Sequence, residues 1–290
     1  MKTTSIPPST GVALLRDFSL EMTGKDTSKL GEARQSIPPG TRINVTYLGN
    51  EDLALRLDAA TTARDLGFVP VPHISARRLA SEAALREFLT ALRAHGVQEQ
   101  VFAVGGDPAQ AHGPYDDSLQ IIRSRLLQEH GVRRVGISGY PEGHPQIPDV
   151  TLWAALTDKA AAMTEGDLDG DIITQFGFDA DPVLAWIEEV RARGIHLPVR
   201  VGVPGPAGVK RLLAFATRFG VGTSTSIARK YGLSLTNLMG TAGPDRFLRA
   251  LAAGYDVARH GDVKLHFYTF GGLGATSTWI DTFRDKEGLK

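Results

Sequence analysis

The 290-residue chain balances 32 Lys and Arg against 32 Asp and Glu, is 42% hydrophobic and 22% charged, and has no cysteine. Zero net charge gives no global field toward nucleic acid or a membrane surface, and the ordinary composition excludes a fibrous or disordered chain. Without cysteine there is no disulfide, thiolate nucleophile or thiolate metal ligand. Met1 to Pro8 lack an apolar core of signal-peptide length, and no apolar run approaches a membrane span. The expectation is a cytoplasmic protein forming one domain over residues 1–290.

Short apolar runs recur along the chain. They are Phe18–Glu21, Arg42–Leu48, Phe68–Ile74, Val101–Val104, Arg134–Ser138, Asp171–Gln175, Pro198–Val203 and Lys264–Thr269. Bounded by turn residues, each reads as a buried strand. Between them, apolar residues at three- and four-residue steps mark helices at Leu53–Asp65, Ser81–Ala94, Ser118–Gln128, Thr151–Met163 and Asp181–Ala192. Ser81 and Asp181 stand as N-caps, and Gly67, Gly96, Gly131 and Gly194 as left-handed helix ends. Eight strands alternating with helices predict an α/β protein of the (β/α)8 TIM-barrel class. A doubly wound sheet would carry a G-x-G-x-x-G turn after its first strand, and none is present. Between strands seven and eight lies extra material. Val209–Phe219 reads as the usual helix, with further helical pieces at Thr223–Tyr231, Asn237–Met239 and Pro244–Ala258.

A barrel gathers the C-terminal ends of its strands at one mouth. Glu21, Thr46, His73, Asp107, Ser138 with Tyr140, and Gln175 occupy those ends. His73, His112, His144 and His266 are scattered without metal-ligand spacing, so no metal is expected. Gly136-Ile137-Ser138-Gly139-Tyr140 is not a nucleophile elbow, because its serine lacks the required register. Arg77 and Arg78 read as a solvated helix start rather than a phosphate site. What remains is a carboxylate-led site suited to proton transfer on a flat polar heterocycle.

The run Ser138-Gly139-Tyr140-Pro141-Glu142-Gly143-His144-Pro145, together with Asp107, resembles the methylenetetrahydrofolate reductase family. Phe18–Glu21, Asn44–Tyr47, Pro72–Ser75, Ile173–Phe176 and His266–Thr269 match further family motifs in order, so the resemblance spans roughly residues 17 to 270. It implies reduction of 5,10-methylenetetrahydrofolate to 5-methyltetrahydrofolate with NAD(P)H. Glu21 would be the general acid, and Asp107 the carboxylate that stabilises the developing cation. Gln175, Arg211 and Phe215 would bind the folate. Thr46, His73, Gly106, Tyr115, Ser138, Tyr140, His144 and Lys159 match positions at the family's FAD.

Four departures bear on that flavin and on the folate. Gly105 stands where the family has an arginine and Leu152 where it has a flavin-contacting aspartate; Arg211 replaces a folate-contacting glutamine, and Gly272 an arginine. Charge-assisted hydrogen bonds are worth roughly 1.5–3 kcal/mol each. The expectation is therefore weak or absent FAD and direct hydride transfer from NAD(P)H. Arg211 would meet an anion, either the folate glutamate tail or a nicotinamide phosphate. A folate- or pterin-binding barrel that does not reduce its ligand, or a related one-carbon enzyme, is the alternative. NADH and NADPH are not distinguished, and the oligomeric state is open.

Overall fold

The structure, a computed structural model, describes residues 13–49, 51–220 and 241–287. Its barrel strands are Ser19–Met22 (β1), Arg42–Val45 (β2), Val69–Ser75 (β3), Gln100–Val104 (β4), Arg134–Gly139 (β5), Asp169–Phe176 (β6), Val199–Pro204 (β7) and Val263–Tyr268 (β8). All neighbours are parallel, and β1 pairs with both β2 and β8, so the sheet closes on itself. This is the expected (β/α)8 barrel.

Around it lie Thr27–Ala33 (α1), Leu53–Asp65 (α2), Glu82–Ala94 (α3), Ser118–Arg123 (α4), Leu126–Glu129 (α5), Asp149–Glu165 (α6), Ala180–Ala192 (α7), Val209–Phe219 (α8), Asp245–Gly254 (α9), Val257–His260 (α10) and Leu273–Lys286 (α11). Local chemistry explains several boundaries. The Ser81 hydroxyl accepts from the Ala84 amide at 3.1 Å and starts α3. Gly67, Gly96, Gly131 and Gly194 all take positive φ past their helices, as expected. Among the described residues, no helix is long and apolar enough to cross a membrane.

The structure departs from expectation in five places. β2 ends at Val45, not Leu48, because Glu51 accepts from the Leu48 and Gly24 amides and folds the segment into a turn. The single helix expected over Ser118–Gln128 is split by Arg125, whose φ is +64°. The cap of α7 is Asp179, which accepts from the Asp181 amide at 3.3 Å. The Pro244–Ala258 helix breaks at Tyr255, whose hydroxyl donates to the Gly261 carbonyl at 2.8 Å. Helices α1 and α11 are additional to the predicted set. The pieces expected at Thr223–Tyr231 and Asn237–Met239 lie outside the described residues, while α9 and α10 do supply extra helix between β7 and β8.

Inside the barrel the side chains form three levels. Val71, Phe102 and Ile173 make an apolar middle. Gly136 admits Phe102, since a Cβ there would lie 2.6 Å from its ring. Below, an ionic floor closes the N-terminal end: Arg200 Nε donates to Asp171 at 2.7 Å, and its other nitrogens reach Asp17. Above the apolar level is the polar mouth. The floor's Arg200 is engaged by Asp171 and Asp17.

Candidate active site at the barrel mouth

Successive strand residues face opposite ways, so residues two apart share a face. On β1 that pairs Ser19 with Glu21, and on β8 it pairs His266 with Tyr268. Register sets Ser19 opposite His266 and Glu21 opposite Tyr268. The fully buried His266 ring therefore lies between the two β1 side chains. Its Nδ1 lies 2.9 Å from Ser19 Oγ, while its Nε2 comes within 3.5 Å of Glu21 Oε2 without a hydrogen bond and is left unpartnered. The Glu21 carboxyl keeps 22% of its surface exposed. It is thus held from beneath and open to a ligand from above.

His73 closes another side of this group. Burial pushes its imidazole down to about 4, a nearby Glu21 pulling up and His266 pulling down. The ring is neutral at neutral pH and packs 4.7 Å from Phe102. Its Nε2 is buried without a hydrogen-bond partner, the kind of group that a ligand polar atom satisfies. The Tyr268 hydroxyl donates to the Thr174 carbonyl at 3.0 Å, and burial raises it well above the usual phenol range. Burial also raises Tyr140, whose ring meets His144 edge-on at 5.4 Å. Thr46 donates to the Met22 carbonyl at 3.2 Å, directly beside Glu21. Gln175 accepts from the Phe176 amide through Oε1, which leaves its NH2 available.

Other candidates lie outside this cluster. Asp107 is 71% exposed and pairs with Arg78. Arg77 is half-buried and donates to the Asp116 and Pro108 carbonyls at 2.8 and 3.2 Å. Both arginines are structural ties between the β3 and β4 loops. Gly106 has φ +97°, and a Cβ there would overlap Ser75 Oγ, so only glycine fits. Arg211 is exposed and donates to the Phe270 carbonyl at 2.8 Å. Phe215 stacks on Phe270 at 4.1 Å and 11°, forming an aromatic rim on the β8 side. Tyr115 is buried. Burial also lowers His144.

Lys159 is 7% exposed on α6; burial pushes its ammonium down to about 8, with Asp117 pulling up.

Whether this mouth suits FAD turns on the flavin diphosphate. A Cβ at Gly105 meets nothing within 4 Å, so that position is open space without charge. Leu152 lines an apolar cleft instead of offering a carboxylate. Arg77 and Arg78 are engaged elsewhere. Positions 105 and 152 therefore offer a flavin no charged contact. Among the described residues no group of three or more potential metal ligands converges.

Sequence reasoning missed Ser19, His266 and Tyr268 as partners of Glu21. The signal was available in the i, i+2 pairs Ser19/Glu21 and His266/Tyr268 on first and last strands, which a barrel must join.

These features define a parallel (β/α)8 barrel with a carboxyl, an imidazole and a hydroxyl clustered at its mouth. The chain belongs to the methylenetetrahydrofolate reductase family, whose sequence profile matches residues 28–232. It is 31% identical over 134 residues to methylenetetrahydrofolate reductase 2 of Saccharomyces cerevisiae, covering 43% of this chain and 21% of that protein. It is 29% identical over 143 residues to methylenetetrahydrofolate reductase (NADH) 1 of Arabidopsis thaliana, covering 44% of this chain and 24% of that one. The matched stretch thus spans under a quarter of these relatives' length. Among solved structures, an uncharacterized protein from Clostridium thermocellum, described as binding two copies of 5-methyl-5,6,7,8-tetrahydrofolic acid, superposes with a TM-score of 0.60 at 10% identity. That match covers 96% of this chain and 97% of that one. Dihydropteroate synthase from Thermus thermophilus gives 0.50 at 16% identity, covering 94% of each chain. Both likenesses are of fold.

Proposed function

We propose that this chain reduces 5,10-methylenetetrahydrofolate to 5-methyltetrahydrofolate, with NADH or NADPH giving its hydride directly to the folate. The observation that carries the reading is the Ser19–His266–Glu21 cluster at the mouth of a barrel of this family. The folate-binding description of the Clostridium thermocellum neighbour and the NADH in the name of the Arabidopsis thaliana relative agree with it.

The methylene bridge joins N5 and N10 of the folate. It accepts hydride only after the N10 bond breaks and an N5 iminium forms. N10 needs a proton as it leaves. Glu21, partly exposed above His266, is placed to give that proton, and the imidazole stands next to it to share the replacement. General acids positioned this way contribute typically about 10²–10⁴-fold. The nicotinamide then supplies hydride to the iminium carbon, yielding the 5-methyl group and oxidised nicotinamide. One proton and one hydride are consumed per turnover. Neutral His73 adds no positive charge beside the cationic iminium, and its free Nε2 is available to a ligand atom. Asp107 would serve the cation only after leaving Arg78.

That Asp107–Arg78 pair favours one alternative, a barrel that holds folate or another pterin without reducing it. The two are separated by Glu21→Gln. A reductase loses turnover, whereas a binder has no turnover to lose and keeps its affinity.

A further inference from the structure

Beside the mouth, between the end of β5 and helices α6 and α7, lies a cleft of about 310 Å3 that the chemistry at Glu21 does not use. Its walls include Tyr140, Leu152, Trp153, Ala185 and Trp186, and Asp149 is the only charged lining residue. The two indoles stack at 5.7 Å and 25°, and the Arg193 guanidinium lies 4.3 Å from the Trp153 ring centre. Gly139 lets Trp186 reach the strand, since a Cβ there would lie 2.5 Å from the indole. The wall is therefore preformed, and little ordering is needed on binding. Tyr140, just past the C-terminal end of β5, lines the cleft on the side of the barrel mouth.

We infer that this cleft holds the adenosine end of the nicotinamide dinucleotide, with Asp149 accepting hydrogen bonds from its ribose hydroxyls. The inference rests on the hydride-donor reading above. The cleft is at the small end of ligand sites, roughly 300–1,000 Å3, which suits a nucleoside better than a whole dinucleotide. Apolar walls suit an adenine. A lone carboxylate accepts from a ribose diol, as acidic residues do in other dinucleotide sites. The same carboxylate repels a 2′-phosphate and the acidic glutamate tail of a folate. The site therefore selects NADH over NADPH and excludes the folate tail.

Two of the chain's three tryptophans line the cleft, so intrinsic fluorescence reports its occupancy without turnover. The test titrates the full-length protein with ADP-ribose and 2′-phospho-ADP-ribose, alongside steady-state kinetics with NADH and NADPH. Asp149→Asn and Ala185→Phe are the variants, both at exposed positions. The expected result is saturable quenching by ADP-ribose, with the 2′-phosphorylated ligand weaker by about tenfold or more. Asp149→Asn should narrow that gap. Ala185→Phe should raise the KM for NADH and abolish quenching, with the folate KM unchanged. Absence of quenching in the wild-type protein, unaltered NADH kinetics in Ala185→Phe, or a raised folate KM in either variant would overturn the assignment. ADP-ribose binding without any reductase turnover would uphold the cleft and remove the reductase reading.

Discussion

Glu21 Oε2 stands 3.5 Å from His266 Nε2, and the far nitrogen of the same ring is fixed by Ser19 at 2.9 Å. The Ser19 tie orients the ring with its other nitrogen toward the carboxyl. If Glu21 is the proton donor, Glu21→Gln lowers kcat by about 10²–10⁴ and leaves folate affinity nearly unchanged. Ser19→Ala keeps both reacting groups but frees the ring. It should lower kcat by a smaller factor and shift the pH–rate profile, which a purely structural role would not do. Stopped-flow turnover and equilibrium folate binding on the same preparations check both.

The open space at Gly105 makes the flavin argument reversible. A Cβ there meets nothing and the backbone is unstrained, so an arginine is accommodated. Leu152 is half-buried at a cleft wall, where an aspartate remains partly solvated. The double variant Gly105→Arg, Leu152→Asp should bind FAD about two to four decades more tightly than the wild-type chain, from two charged hydrogen bonds. Flavin fluorescence quenching measures it. Equal affinity in the two proteins would remove these positions from the explanation.

Lys159 should weaken the fold. The residue is 7% exposed, and burial lowers its ammonium from 10.5 to about 8. The unfolded chain binds this proton more tightly, so the penalty is fully present below pH 8 and fades as pH rises toward 10.5. At pH 7 it is roughly 3 kcal/mol. Lys159→Met, similar in length and apolar, should therefore raise the urea midpoint at pH 7 and lose that advantage at about pH 10. A destabilised variant would show that an anionic partner holds the ammonium.

His73 gives the opposite pH window. Its folded value of about 4 lies below the unfolded 6.5, so the stability tied to its neutral ring is complete above pH 6.5. It declines as pH falls to about 4, by roughly 3 kcal/mol in all. His73→Gln should flatten the stability–pH curve between pH 6.5 and 4. Denaturant titrations at several pH values check it, and an unchanged slope would place the acid sensitivity elsewhere.

The barrel was legible because its strands are short apolar runs at regular spacing, and because Ser81 and the helix-ending glycines follow local rules. The break between α4 and α5 was not, since the apolar spacing continues through Arg125 and only the left-handed backbone there shows it. In the site, Glu21 and His73 could be placed at the mouth from strand ends alone. Asp107 could not be oriented: its ion pair with Arg78 is a contact between two loops that no local pattern encodes. His266 looked like one scattered histidine until closure set β8 against β1. Tertiary pairing supplied what spacing lacked.

The most direct test of the central claim is NADH and NADPH oxidation by the purified full-length protein with 5,10-methylenetetrahydrofolate and no added flavin, read beside its absorbance spectrum. Turnover by a colourless protein, lowered by about 10²–10⁴ in Glu21→Gln, is the predicted result. A yellow protein whose turnover disappears when FAD is stripped and returns when it is restored would contradict direct hydride transfer.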